Sequence, residues 1–284
     1  MLGYTRQAFY GQQQYQQQQT YEAALIIQQV QKHRLSQPRL GARKLVVLLQ
    51  DFIKEHNIKL GRDGLFSLLR ANELLVGKRK RSVRTTFSRH RFYKYPNLIR
   101  QYTPTASNLL WVSDITYIVL DEGFAYLSLI TDAYSRKIMG FYLAKTLEAI
   151  GCIHALKMAI AGCRDCSRLI HHSDRGIQYC SLGYIDLLQT NDIKISMTEN
   201  GDPLENAIAE RVNGILKEEL LQQQYPDFKM AQLSVAKAIT IYNSLRPHSS
   251  CNMLTPQAAH LQTGSLKKHW KNYYKKKGDV LAAS

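Results

Sequence analysis

The chain has 284 residues, of which 45% are hydrophobic, and its 38 Lys and Arg against 22 Asp and Glu give a formal net charge of +16. This length and composition allow a hydrophobic core in about two domains and exclude a dependence on disulfides. The charge favours nucleic acid as the partner, although ribosomal and membrane-surface proteins share it. No apolar run approaches the roughly 18 residues of a membrane span, and residues 1–19 lack a signal-peptide core, which predicts a cytoplasmic protein.

The first predicted elements are helical. Residues 1–34 form a Gln-rich leader, densest at 12–19, that runs into a helix capped by Thr20. Residues 35–77 form a helix-turn-helix-like region, in which Gly61 joins two short helices and Arg62 starts the second. Apolar residues at helical spacing indicate these helices: Leu45, Leu48, Leu49, Phe52 and Ile53, then Leu65, Leu68 and Leu69. Helical hairpins also occur in proteins that do not bind DNA.

A basic linker over residues 78–104 follows the helices. Between Lys78 and Lys94 it has no acidic residue, and Phe87, Phe92 and Tyr93 are interleaved with the cations. Such a run suits phosphate tracking and base stacking, although a solvated linker has the same composition. The cations predicted to contact DNA are Lys78, Arg79, Lys80, Arg81, Arg84, Arg89 and Arg91.

A catalytic core is predicted over residues 105–225, where runs of β-branched and aromatic residues begin. Three closely spaced strands form a meander, with Asp121-Glu122-Gly123 as the first turn. Alternating helices and strands then complete a mixed five-stranded sheet flanked by helices, an α/β fold. The predicted strands are 110–119, 124–132, 136–144, 168–172 and 194–197, and the predicted helices are 147–161 and 182–190.

The five cysteines offer one alternative chemistry. Cys163 and Cys166 have the spacing of half a zinc site, and His171 and His172 follow them. No second pair completes four ligands, so we favour reduced thiols where a helix leads into a strand.

Two acids lie at informative positions in the predicted sheet. Asp114 stands in an apolar strand between Trp111 and Ile115, where an unpaired carboxylate is unfavourable. Asp174 directly follows the fourth strand, at the end where open α/β sheets bind ligands. If the first and fourth strands are neighbours, the two carboxylates converge.

A third acid lies on a well-marked helix. Asp202 caps it, Pro203 occupies its first turn and Glu205 completes a capping box, so the helix is predicted to run from Pro203 to about Leu221. Four polar residues recur on one of its faces: Asn206, Glu210, Asn213 and Lys217.

Asp114, Asp174 and Glu210 are the predicted catalytic and metal-binding residues. Three carboxylates in one site repel one another unless hard cations neutralise them, and oxygen ligands suit Mg²⁺, with Mn²⁺ as a substitute. Two such ions about 4 Å apart promote phosphodiester transfer. Each acid alone also fits a structural role, as a turn former or a solvated helix residue.

Three sequence blocks carry a family resemblance: Trp111-Val-Ser-Asp114-Ile-Thr-Tyr117-Ile, His172-Ser-Asp174-Arg-Gly176-Ile-Gln-Tyr179 and Ser196-Met-Thr-Glu-Asn-Gly-Asp-Pro-Leu-Glu-Asn206-Ala-Ile-Ala-Glu210. They resemble the core of the retroviral-integrase-like DDE transposases, above all the second-frame transposase of insertion-sequence family three. Thirty-five residues separate Asp174 from Glu210, as in the D,D-35-E pattern of that superfamily. Pro38-Arg-Leu-Gly41 and Tyr242-Asn243-Ser-Leu-Arg246-Pro247-His248 resemble its terminal signatures.

The resemblance implies a ribonuclease-H-like fold, two catalytic Mg²⁺ ions, and cleavage and joining of double-stranded DNA at the terminal inverted repeats of a bacterial insertion sequence. It also implies a homo-oligomer on terminal-repeat and target DNA, associated with the nucleoid, and a C-terminal helical region with a basic tail over residues 226–284. Beside the basic linker and Arg62, the expected DNA contacts are Lys217, Asn206, Asn213, Arg175, Gln178, Arg246 and His248.

Two departures from the family qualify this interpretation. Glu205 stands where the family usually has Asp, and no leucine-zipper heptads precede Thr20. The chain is therefore expected to be the second-frame product, with an upstream-frame protein as a possible partner or fusion. The alternatives are a DNA-binding regulator without catalysis and a ribonuclease-H-like nuclease that acts on RNA.

Overall fold

The computed structural model of the protein describes residues 6–77, 92–199 and 206–270. The chain divides into two compact units, one of Met1–Ser82 with Glu218–Leu220 and one of Val83–Lys217 with Leu221–Ser284. Within the described ranges, no helix has the length and apolarity needed to cross a membrane.

The first unit is helical, with α1 at Arg6–Ser36, α2 at Ala42–Leu48, α3 at Gln50–Glu55 and α4 at Arg62–Ala71. Its core is a cluster of fully or almost fully buried aliphatic side chains from all parts of the unit: Ile26, Val30, Leu40, Leu45, Leu49, Leu65 and Leu69. This core explains the apolar periodicity of the sequence, since these side chains lie on the inward faces of the helices.

Two details of the first unit differ from the prediction. Thr20 does not cap a helix: its hydroxyl donates to the carbonyl of Gln16 inside α1, which runs through the whole Gln-rich tract. Glutamine is a good helix former, so the tract extends the helix although its side chains remain exposed. The predicted helix from Leu45 to Ile53 is divided at Leu49, where α2 ends and α3 begins.

The second unit contains a five-stranded sheet in the order β3-β2-β1-β4-β5. Its strands are β1 at Leu110–Val119, β2 at Phe124–Asp132, β3 at Ile138–Ala144, β4 at Ile170–Ser173 and β5 at Lys194–Met197. The first three pair in antiparallel fashion, whereas β1 with β4 and β4 with β5 are parallel. The predicted mixed sheet and the adjacency of its first and fourth strands are confirmed.

The connection between β2 and β3 is two residues longer than predicted, because a buried carboxylate organises it. Asp132 is fully buried and accepts hydrogen bonds from the amides of Asn108 and Ser135 and from the Ser135 hydroxyl, at 2.7–2.8 Å. The amide of Arg136 donates to the Asp132 carbonyl. Strand β3 therefore starts at Ile138 rather than at Arg136.

Helices cover both faces of the sheet. On one face, α5 at Ala149–Ala161 and α6 at Leu182–Thr190 pack around Trp111. On the other face, α7 at Ala207–Ile215 places Ala209 against Leu110 and Val112, whose side chains alternate with Trp111 along β1. The predicted start of this helix, at Asp202, Pro203 and Glu205, lies outside the described residues.

A π-helical turn at Leu216–Leu220 continues α7, and α8 at Phe228–Ser244 and α9 at Pro256–Ala259 follow. The side chain of Asn243 accepts from the amide of Ile138 and donates to its carbonyl, at 2.9 and 3.0 Å, which fixes α8 to the first residue of β3. The Thr255 side chain caps α9 by accepting from the Ala258 amide. The described part of the C-terminal region thus contains two helices, α8 and α9.

Candidate active site

Strand register places Asp114 and Asp174 side by side. Val112 on β1 pairs with His172 on the parallel strand β4, and each acid lies two residues farther along its strand direction. Because side chains alternate between the faces of a sheet, Asp114 belongs to the face that α7 covers, and Asp174 directly follows the last residue of β4. Both are partly exposed, and so remain accessible to ligands.

Asp114 is oriented by two hydrogen bonds. Its Oδ1 accepts from the amide of Ile115 at 3.0 Å, and its Oδ2 accepts from Nδ2 of Asn213 at 2.8 Å. Bonds of this kind hold a ligating carboxylate in one rotamer.

Asp174 is oriented by the tight turn that follows β4. Its Oδ1 accepts from the amide of Gly176 at 2.9 Å. A Cβ atom on Gly176 would lie only 3.0 Å from that same oxygen, so the turn accommodates this carboxylate because residue 176 has no side chain. Gly176 belongs to the sequence block His172–Tyr179, but nothing in the sequence pattern indicates this role.

Glu210 lies on α7 between two amides that fix the helix to β1. Nδ2 of Asn206 donates to the carbonyl of Ser113 at 2.9 Å, and Asn213, one turn beyond Glu210, donates to Asp114. The predicted polar face of α7 is therefore the one that approaches Asp114. Asn206 and Asn213 are themselves buried and have partners on β1, so the DNA contacts predicted for them receive no support.

Tyr179 and Cys152 form the buried surroundings of the two aspartates. Burial raises the pKa of the Tyr179 hydroxyl, and the nearby Asp114 and Asp174 raise it further. Burial also raises the pKa of the Cys152 thiol to about 12, with smaller contributions in the same direction from both acids. These neutral groups limit solvent access from the core side of the site.

Lys217 brings a positive charge to the same helix face. Burial lowers the pKa of its ammonium group, whereas the carboxylate of Asp114 acts in the opposite direction. Lys217, seven residues beyond Glu210, is therefore close enough to Asp114 for their charges to interact.

The described residues contain no group of three or more His, Cys, Asp or Glu side chains close enough to hold a metal ion. The zinc alternative has no support either, because its candidate ligands have other partners. Nε2 of His171 shares hydrogen bonds with Ser113 and Tyr184, Nδ1 of His172 pairs with Ser196, and the Cys163 thiol donates to the Asp165 carbonyl. All five cysteines are free.

The remaining predicted DNA contacts occupy different environments. Arg62 is exposed at the start of α4 and pairs with Asp63, while Arg175 and Gln178 lie in the turn after Asp174. Arg246 and His248 expose only 2% and 4% of their surface, which leaves little for a phosphate to contact. The seven cations from Lys78 to Arg91 lie outside the described residues.

Comparison with known proteins agrees with this geometry. The integrase core domain family matches residues 104–203 and, in a second form, residues 191–256. The insertion element IS600 uncharacterized 31 kDa protein of Shigella sonnei is 34% identical over 213 residues, which cover 74% of this chain and 78% of that protein. Transposase InsF for insertion sequence IS3A of Escherichia coli (strain K12) is 29% identical over 225 residues, or 78% of this chain and 77% of that protein.

Among solved structures, the simian T-cell lymphotropic virus intasome in complex with PP2A regulatory subunit B56 gamma is 18% identical, with a TM-score of 0.49, over 84% of this chain and 78% of that one. The sequence relatives and the integrase core decide the assignment: this chain belongs to the DDE transposases of the IS3 family of insertion sequences.

Proposed function

We propose that this transposase catalyses metal-dependent DNA strand cleavage and strand transfer at the terminal inverted repeats of its insertion sequence. The observation that carries the proposal is the pairing of Val112 with His172, which brings Asp114 within β1 level with Asp174 just past the end of the parallel strand β4, while α7, the helix that bears Glu210, packs against β1.

The donor set fits divalent cations. Asp114, Asp174 and Glu210 offer only carboxylate oxygens, which suit Mg²⁺ or Mn²⁺ better than zinc. Two bound ions would activate the attacking water or 3′-hydroxyl and stabilise the leaving oxygen of the phosphodiester. Mg²⁺ retains waters and takes phosphate oxygens as ligands, so assembly of the full site is expected to require DNA.

The residues around the acids orient them. The amide of Gly176 holds Asp174 and the side chain of Asn213 holds Asp114, so both carboxylates are preorganised before any ligand arrives. Lys217 and Arg175, close to these acids in the chain fold, are proposed to contact phosphates that flank the scissile bond.

The wider DNA interface is proposed to include Arg62 of the helix-turn-helix-like unit and the basic segment from Lys78 to Arg91. A net charge of +16 supports extended contact with duplex DNA. We propose a homo-oligomer on the paired ends of the element, with an upstream-frame protein as a further partner, acting at the bacterial nucleoid.

The proposal is tested by product analysis on labelled duplexes that carry the terminal repeat of the element. With Mg²⁺, the protein should yield 3′-end cleavage and joined strands, and EDTA should stop both reactions. A regulator without catalysis would only retard the duplex, and a nuclease directed at hybrids would release RNA fragments instead.

A further inference from the structure

The parallel ladder that sets the two aspartates side by side is short. Strand β1 pairs with β4 at three positions, the last of which joins Val112 to His172. Asp114 and Asp174 both lie beyond that last pair, so the ladder ends before it reaches the acids. The distance between the two carboxylates therefore depends on what else holds the end of β4 against β1.

Side chains on the opposite face of the sheet join the two strands at this level. Nε2 of His171, on β4, lies 2.9 Å from the hydroxyl of Ser113, on β1, and 2.9 Å from the hydroxyl of Tyr184, on α6. Ser113 directly precedes Asp114 in the chain, so its side chain lies on the other face from that acid. Burial lowers the pKa of His171, so the ring is neutral and its Nε2 can accept a hydrogen bond from a hydroxyl.

The three side chains form a buried polar network. Ser113, His171 and Tyr184 each expose only 1% of their surface. The ring of Tyr179, in the turn that follows Asp174, packs edge-on against the Tyr184 ring, with centroids 5.4 Å apart. Solvent does not replace a hydrogen bond that is lost at such depth, so a network of this kind favours one arrangement of the elements that it joins. Here it joins β1, β4, α6 and the turn that orients Asp174.

We propose that Tyr184 is a positioning residue for the metal site, because its hydroxyl, with that of Ser113, binds His171 and so fixes β4 to β1 at the level of the two aspartates. Tyr184 lies behind the sheet and acts through these strands rather than on DNA or a cation. Mg²⁺ demands near-ideal octahedral geometry, so a looser spacing of the carboxylates weakens its binding. That the aspartates hold cations rests on the proposed function, whereas the link between the strands does not.

Two variants test this role in the full chain. Tyr184→Phe removes only the hydroxyl that binds His171, and Ser113→Ala removes the other hydroxyl at the same nitrogen. Tyr225→Phe is the matched control, since Tyr225 exposes 2% of its surface and its hydroxyl also has two hydrogen-bond partners, which belong to the segment after α7 and to α8. All three variants lose one buried hydroxyl, so urea unfolding should show comparable losses of stability.

The probe is Mn²⁺, whose binding to the protein with the terminal-repeat duplex is measured by electron paramagnetic resonance. Binding that Asp174→Asn abolishes is counted as binding at the site. This readout needs no chemical step. Alongside it, single-turnover cleavage gives the Mg²⁺ concentration for half-maximal rate and the maximal rate at saturating Mg²⁺.

We expect Tyr184→Phe and Ser113→Ala each to weaken Mn²⁺ binding at the site about tenfold and to raise the Mg²⁺ midpoint similarly, as for other residues that orient metal ligands through a neighbour. The maximal rate at saturating Mg²⁺ should recover to within about threefold of the wild type, because the acids themselves are intact. Tyr225→Phe should keep wild-type ion binding despite its loss of stability.

Equal Mn²⁺ binding by Tyr184→Phe and Tyr225→Phe would overturn the proposal, since the network would then contribute to stability alone. A wild type without Mn²⁺ binding at the site would also overturn it, whatever the activity. An inactive wild type that binds Mn²⁺ at the site more tightly than Tyr184→Phe does would refute the proposed reaction and support the positioning role.

Discussion

Asp114 and Asp132 show how two acids of neighbouring strands differ in role. Asp132 is fully buried, and its oxygens accept two hydrogen bonds from Ser135 in the turn after β2 and one from the Asn108 amide before β1, so it stabilises the protein without access to ligands. Asp114 is partly exposed, and its Oδ2 accepts a hydrogen bond from Nδ2 of Asn213. At the residue scale, catalytic capacity depends on an oriented carboxylate that still reaches solvent.

Gly176→Ala tests that orientation. A new Cβ would lie 3.0 Å from Oδ1 of Asp174 and 3.2 Å from Oε1 of Gln178, so the carboxylate must move. We expect strand cleavage to fall by about tenfold to a hundredfold, as for other losses of ligand orientation, with thermal unfolding nearly unchanged. Single-turnover cleavage of the terminal-repeat duplex measures the effect.

Gly214→Ala is the matched control. Gly214 lies on α7, and a Cβ there meets nothing within 4 Å. The substitution should stabilise the helix by about 0.5–1 kcal/mol and preserve cleavage. Equal activity of Gly176→Ala and Gly214→Ala would contradict the role assigned to the Gly176 turn.

The three acids proposed as catalytic can be selected from the sequence, because an acid in an apolar strand, an acid at a predicted strand end and an acid on a predicted capped helix are each visible there. Asp132 is also an acid in an apolar strand, so the sequence does not distinguish it from Asp114. Its structural role depends on a turn that the sequence does not reveal.

At the scale of elements, the position of β3 depends on close contact with α5. Gly140 on β3 faces the backbone of that helix so closely that a Cβ would overlap the carbonyl of Ala155 and approach the amide of Ala159. The absence of a side chain thus lets α5 lie directly on the sheet, opposite the face that carries the acids.

Gly140→Ala should therefore destabilise the second unit. Because the contacting atoms belong to the backbone and cannot rotate away, we expect a loss of about 1–3 kcal/mol in the free energy of unfolding. Urea denaturation followed by circular dichroism gives this value. Gly162→Ala at the end of α5, where a Cβ makes ordinary contacts at 3.6 and 3.7 Å, should change stability by less than about 1 kcal/mol; a similar loss in both variants would refute the packing argument.

The sequence predicted most elements of the second unit, because alternation and turn residues bound β1, β2, α6 and β5 at the positions observed. The sequence predicted the element boundaries less well where tertiary packing determines the local backbone conformation. The break at Leu49 between α2 and α3 occurs inside an unbroken helical pattern, and the π-helical turn at Leu216–Leu220 has no local signal. The Gln-rich tract was assigned to a leader because its polar residues cannot form a core, whereas helix propensity alone extends α1 through it.

At the scale of the whole molecule, the buried His171 makes the free energy of unfolding depend on pH. Burial, reinforced by the neighbouring His172, lowers the pKa of His171 from 6.5 to about 3. The folded protein therefore keeps this ring neutral, while the unfolded chain takes up a proton below pH 6.5. The contribution of His171 to stability is complete above pH 6.5 and decreases as the pH falls from 6.5 towards 3.

We expect the free energy of unfolding to fall by up to about 1.4 kcal/mol per pH unit in that window through His171 alone. His171→Gln keeps an amide near Ser113 and Tyr184 but cannot take up the proton, so its stability should depend less steeply on pH. Urea midpoints at several pH values from 7.5 down to about 4 make the comparison, with the exposed His154→Gln as the control. Parallel profiles for His171→Gln and the wild type would argue against a neutral buried ring.

The central claim, that three carboxylates act together on DNA, is tested most directly by single-turnover cleavage and joining of the labelled terminal-repeat duplex in Mg²⁺. Asp114→Asn, Asp174→Asn and Glu210→Gln should each abolish both products while folding and duplex affinity persist, since each loses a charge needed to hold the cations. The triple variant should be no worse than any single one, because groups that act as a unit fail at the first removal. Asp165→Asn and Asp186→Asn, which alter exposed acids outside the site, should retain activity. Strong cleavage by Glu210→Gln would contradict the account, because Glu210 would then be a solvated helix residue rather than the third acid of the site.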